Sequence, residues 1–118
     1  MPDFKGSAKI YIQPGTSAYP VRAAFPAASA PDANDGARPY GTTISSATVK
    51  AYDSSGTKAD DLVDSGSVSV DGDDVLCTLS YPATSGDGVY TLEYRLTLNT
   101  GAVLVYDARR VIAGDRSA

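Results

Sequence analysis

Between Tyr90 and Leu98 the chain alternates without a break. Tyr90, Leu92, Tyr94, Leu96 and Leu98 are apolar, and Thr91, Glu93, Arg95 and Thr97 between them are polar. A period of two is that of a β-strand with one face on a core and one in solvent. Asn99-Thr100-Gly101 follows as a short glycine-containing turn, and a second β-rich run extends from Ala102 to Ile112. The two runs read as an antiparallel hairpin. Any fold for this chain must build a sheet around it.

The entry to the hairpin, Asp87-Gly88-Val89-Tyr90, resembles the tyrosine corner of immunoglobulin-type sandwiches. There a Tyr near the start of the penultimate strand hydrogen-bonds backbone a few residues upstream. Shorter strand signals recur before it. Ala8–Ile12 is a candidate. Ile44–Tyr52 follows, with positions 47, 49 and 51 alternating against Ser46, Thr48 and Lys50. Leu62-Val63, Val68 with Val70, and Val75–Ser80 complete the set. Turn chemistry separates them at Asp53-Ser54-Ser55-Gly56, Asp71-Gly72-Asp73-Asp74 and Ser85-Gly86-Asp87-Gly88. About six strands at short intervals define an all-β chain, an immunoglobulin-like antiparallel β-sandwich.

Residues 13–43 differ in kind. Pro14, Pro20, Pro26, Pro31 and Pro39, with eight alanines and three glycines, leave little room for regular structure. Proline removes a backbone donor and is excluded from central strands. The expectation is therefore two parts: residues 1–43 as a short strand plus an extended Pro/Ala-rich N-terminal arm or loop, and residues 44–118 as the sandwich body. Tyr19, Val21, Phe25 and Tyr40 interrupt the arm with apolar surface, so docking on another protein is the expectation, with a flexible loop as the alternative. Tyr52 lies on the face opposite Ala47, Val49 and Ala51, and is a candidate exposed contact. Arg109-Arg110 breaks the alternation of the last strand, which points to a bulge or an exposed edge, with acids of a neighbour as possible partners.

The inventory for chemistry is thin. The 118 residues contain no histidine, which removes the usual general base, the usual zinc ligand and any Ser-His-Asp triad. The sole cysteine, Cys77, shares a face with Val75 and Leu79 and reads as a small buried hydrophobe. Thirteen of the 14 acids are Asp, and they cluster in turns. Asp71–Asp74 and Asp32–Gly36 are oxygen-rich but lack the spacing of a calcium loop, so turn chemistry accounts for both. Tyr94, Tyr106 and Tyr52 could line a sugar-binding face; Tyr94 shares its strand's apolar face and belongs with the core. The expectation is a non-enzymatic protein without cofactor or metal. A net charge of −4 and no long basic run argue against nucleic acid as partner. No run reaches membrane-spanning length and no signal peptide is seen, so assembly in the cytoplasm is expected.

Three stretches together carry a resemblance: Tyr40-Gly41-Thr42-Thr43-Ile44-Ser45-Ser46-Ala47-Thr48-Val49, Gly86-Asp87-Gly88-Val89-Tyr90-Thr91-Leu92, and the Asn99-Thr100-Gly101 turn with its strand into Arg110-Val111-Ile112. Over residues 40–113 the chain resembles the small immunoglobulin-like proteins of tailed bacteriophages, especially the fibre–tail adaptors of the tail or neck. Residues 1–39 depart from that pattern. The resemblance implies a virion structural protein that joins tail or neck to fibres through a ring of its own copies. It implies neighbouring virion proteins as further partners. Two alternatives are carried with it: a capsid decoration protein, and a carbohydrate- or cell-surface-binding module.

Overall fold

The computed structural model describes residues 8–12, 17–82 and 86–114. They form seven strands: β1 (Ala8–Ile12), β2 (Ser17–Ala24), β3 (Ile44–Tyr52), β4 (Val63–Asp71), β5 (Asp74–Ser80), β6 (Gly88–Leu98) and β7 (Val103–Gly114). A four-stranded sheet in the order β1-β7-β6-β3 faces a three-stranded sheet in the order β2-β5-β4. This is the immunoglobulin-like sandwich expected from the hairpin. All pairings are antiparallel except one: β1 runs parallel to β7, from Ala8 opposite Arg110 to Ile12 opposite Gly114.

β6 is the spine. Tyr90, Leu92, Tyr94, Leu96 and Leu98 are buried, and the polar residues between them face outward. Opposite them the three-stranded sheet contributes Val75, Cys77 and Leu79 from β5. Ile10, Ile12, Val49, Ala51, Leu62 and Ile112 close the same cluster. The tyrosine corner is present: the Tyr90 hydroxyl donates to the Gly86 carbonyl at 2.6 Å. Asp87 ties the neighbouring chain ends together. Its Oδ1 accepts from the Tyr81 hydroxyl at 2.5 Å and from the Gly114 N–H at 3.0 Å.

The arm departs from expectation. Residues 17–24 form β2, which pairs with β5 from Ser17 opposite Ser80 to Ala24 opposite Asp74. Pro20 lies inside this strand. β2 is at the edge of its sheet, where one side of the backbone needs no partner, and there a missing N–H is tolerated. The division at residue 43 therefore does not separate an arm from a body, since β1 and β2 supply one strand to each sheet. The stretch 1–7 and the Pro14-Gly15 strand stop fall outside the described residues. Leu62-Val63 and Val68 with Val70 belong to one element, with Val63 to Asp71 forming a single strand broken by a register shift between Asp64 and Ser69. The Arg109-Arg110 bulge is absent: β7 stays in register with β6, Arg109 opposite Thr91 and Arg110 opposite Tyr90. Arg110 lies on the inward side yet is only half-buried, as a long stem with a charged tip allows.

Two changes at position 90 separate the hydrogen bond from the ring. Tyr90→Phe is expected to lose about 0.5–1.5 kcal/mol, the net value of one hydrogen bond. Tyr90→Ala is expected to lose about 3–5 kcal/mol through the cavity it opens. Urea titration of both variants measures the two terms.

Candidate docking surface

The loop from Phe25 to Thr43 is stitched to the sandwich by a single arginine. Arg38 is 5% exposed. Its Nε donates to the Phe25 carbonyl at 2.8 Å. One terminal nitrogen donates to the Thr42 carbonyl and, at 3.3 Å, to the Thr42 hydroxyl. The other donates to Asp73 in the β4–β5 turn. The planar fork of a guanidinium suits three acceptors held at fixed angles. Backbone bonds Phe25 N–H to Asp73 O and Ala28 N–H to Arg38 O, both 2.8 Å, fix the same segment. The fold here is close. A Cβ on Gly36 would stand 2.2 Å from the Ala28 nitrogen, so only glycine fits.

This staple decides the fate of Phe25. Expected as an exposed docking anchor, it is buried within its own domain. Its ring lies tilted on Tyr94 with centroids 5.3 Å apart and stacked on Tyr106 at 5.5 Å. Val21 is half-buried against the core, on the inward face of β2 opposite Cys77. Tyr19 shares that face but remains 40% exposed near the strand end. Tyr40 is 53% exposed and borders a shallow depression of about 640 Å³ whose lining includes Arg38.

Tyr52 and Arg109 share one surface, with Thr91 between them. They line a groove of about 400 Å³ on the outer face of the four-stranded sheet, with Glu93 and Asp107. Cross-strand register sets the rows: Tyr52 opposite Thr91 opposite Arg109, then Lys50 opposite Glu93 opposite Asp107. Glu93 accepts from Arg95 at 3.4 Å. Arg110 points its guanidinium to the Arg109 carbonyl at 2.7 Å and lies apart from the groove.

The most exposed apolar strip on the described strands was not singled out from sequence. Val103 and Val105 are 50% and 47% exposed on the outer face of β7, opposite Thr97 and Arg95. Tyr106, on the inner face, is 36% exposed, and its hydroxyl donates to the Ala37 carbonyl. The signal was available. The Asn99-Thr100-Gly101 turn sets the hairpin register, and that register places both valines opposite the polar residues of the preceding strand. β1 covers β7 only from Arg110 onward, so among the described residues Val103–Arg109 has no strand on its outer side.

The acidic turns serve local structure. Asp71 and Asp74 pair with Arg22 across the three-stranded sheet. Asp35 accepts from the Ser29 hydroxyl at 2.6 Å and the Ser29 N–H at 2.9 Å. Asp53 accepts from the Ser55 hydroxyl at 2.7 Å and the Thr57 N–H at 3.0 Å. These hydrogen bonds hold both carboxyls below the ordinary carboxylate range. Among the described residues, no three of His, Cys, Asp or Glu are grouped to hold a metal ion. Burial pushes the Cys77 thiol up to about 11, so it carries little thiolate at neutral pH.

No family model matches the chain, and no curated protein matches it. Among solved structures it is similar to CopC from Methylosinus trichosporium OB3b, with a TM-score of 0.55. The likeness covers 95% of this chain and 88% of that one at 10% sequence identity. It is a likeness of fold.

Arg38→Met keeps the volume but leaves the Phe25 and Thr42 carbonyls without their donor. It is expected to destabilise by about 3 kcal/mol, the low end for breaking a buried ion pair, because Asp73 can return to water. Asp73→Asn should cost less, about 1 kcal/mol. Thermal and urea unfolding of the pair give the comparison.

The carboxyls of Asp35 and Asp53 set an acid limb. Their pKa values are depressed in the folded state, so their stabilisation is full above the ordinary carboxylate range. It is lost as pH falls through the lower folded values. Unfolding free energy is expected to decline as pH falls through and below the ordinary carboxylate range. Asp35→Asn with Asp53→Asn should flatten that decline; an unchanged slope would place the titration elsewhere.

Proposed function

We propose that the chain is a non-enzymatic structural protein of a tailed bacteriophage virion, an adaptor that joins tail or neck to fibres and assembles with copies of itself. The observation that carries the reading is the exposed strip of β7. A strand edge without a partner among the described residues, bearing two half-exposed valines, is a liability for a free-standing domain, and proteins usually blunt such edges or cover them. A protein that works inside an assembly has a use for one. The entry at Tyr40–Val49 and the tyrosine-corner hairpin, which resemble the phage adaptors, set the type of assembly.

The sandwich suits that work. Its core is continuous across both sheets, and the Phe25–Thr43 loop is tied to the β4–β5 turn by Arg38. Load applied at one end therefore passes through hydrogen-bonded strands rather than through a free linker. Side chains available for polar contact, Tyr52, Asp107 and Arg109, lie on the outer face beside the valines, so an apolar contact would be rimmed by charge.

Mass spectrometry of purified tailed particles from the source of this chain tests the assignment. The chain is expected in the particles at a fixed whole-number copy number relative to the tail proteins. Particles that lack it, or carry it only in variable traces, would overturn the adaptor reading.

A further inference from the structure

The period-two pattern of β1 runs back past Ala8. We infer that residues 3–7 continue β1 in register along β7 and cap the edge Val105–Arg109 within the same chain. The inference deepens the assembly reading above and rests on it for its use: the edge offered inside a particle is shut in the free subunit.

Sequence period and strand register carry the extension. Ile10 and Ile12 are buried. Reading back from Ile10 in steps of two gives Ala8, Gly6 and Phe4, all small or apolar, while Lys9, Ser7 and Lys5 between them are polar. This is the period of a strand with one face on a core. Strand β1 runs parallel to β7, with Ala8 opposite Arg110 and Ile12 opposite Gly114. The same register sets Lys5 opposite Asp107, Phe4 opposite Tyr106 and Asp3 opposite Val105. Pro2 has no N–H to give and falls opposite Leu104, where the ladder ends.

The chemistry of β7 fits that register. Opposed residues of paired strands share a face, so Phe4 joins Tyr106 on the inner side. Tyr106 is stacked on Phe25 and still 36% exposed. Leu104 and Ala108 on either side of it pack against the core and remain half-buried. One more ring at this point covers apolar surface on all three. On the outer side, Asp107 faces Glu93 across the β6–β7 ladder, and two acids directly opposed repel. Lys5 on the other side of Asp107 supplies the opposite charge. A slip of two residues toward Arg110 would set Lys5 against Arg109 and Asp3 against Asp107, like on like in both rows. A slip of one would turn Phe4 out and Lys5 in.

The test is register-specific cross-linking in the isolated protein. Residues paired across adjacent strands have Cα atoms about 5 Å apart, within the reach of a disulfide. Asp3→Cys with Val105→Cys, oxidised mildly with oxidised glutathione, is expected to close a disulfide within one chain. Asp3→Cys with Val103→Cys sets the two positions about 8 Å apart and should close at least about tenfold more slowly. The buried Cys77 gives no background. Adding Lys5→Glu to the first pair should slow its closure, because attraction to Asp107 becomes repulsion. A melting curve like that of the wild type shows that each variant keeps the fold.

Equal rates for the two pairs, or a disulfide that forms only between chains, overturns the inference. The use of the cap is read in particles formed without the chain and then supplied with it. The oxidised Asp3→Cys/Val105→Cys protein is expected to stay out and to enter once reduced. Entry of the locked protein overturns the capping role and leaves the adaptor reading standing. A chain absent from purified particles overturns the adaptor reading and with it the use of the cap, while the disulfide within one chain still establishes the cap itself.

Discussion

A buried guanidinium holds the molecule in its present shape. Arg38 gathers Phe25, Thr42 and Asp73, and through them joins the loop after β2 to the turn between β4 and β5. Once the Phe25 carbonyl is held, its ring is committed to Tyr94 and Tyr106. Tyr106 in turn steadies β7, the strand that carries the exposed valines. Burying an arginine is costly, and the cost is met here by acceptors on every arm of the fork. Asp73 remains 55% exposed at its side chain, so one end of the pair keeps contact with water.

What was legible in the sequence was local. The β6 alternation, the tyrosine corner and the buried position of Cys77 follow from period and turn chemistry, which neighbours in sequence decide. Pro20 misled for the same reason. Proline is excluded from a strand with partners on both sides, and whether β2 has one neighbour or two depends on a sheet order that local pattern does not encode. Phe25 reads as an anchor in sequence because its neighbours there are small and proline-rich. Its surroundings in space are Tyr94, Tyr106 and the β4–β5 turn, between 48 and 81 residues further along the chain.

The candidate surface shows the same division. Tyr52 and Arg109 were singled out separately, and register alone brings them to one groove. A single basic residue in a loop, such as Arg38, carries no signature in sequence, and its partners lie as far away as the β4–β5 turn. Val103 and Val105 look like core in a run of five apolar residues, Ala102 to Tyr106. Only pairing with Arg95 and Thr97 turns them outward.

The sandwich has four lateral margins, and three are blunted. β2 carries Pro20, β4 is interrupted between Asp64 and Ser69, and β3 is flanked near its end by the Tyr52–Lys58 bridge. On the fourth margin β1 covers β7 from Arg110 to Gly114, and among the described residues Val103–Arg109 has none of these devices. A module with two sticky margins has a valence of two and grows into filaments without limit. With one, edge-to-edge association stops at a pair, and any larger ring must use other surfaces.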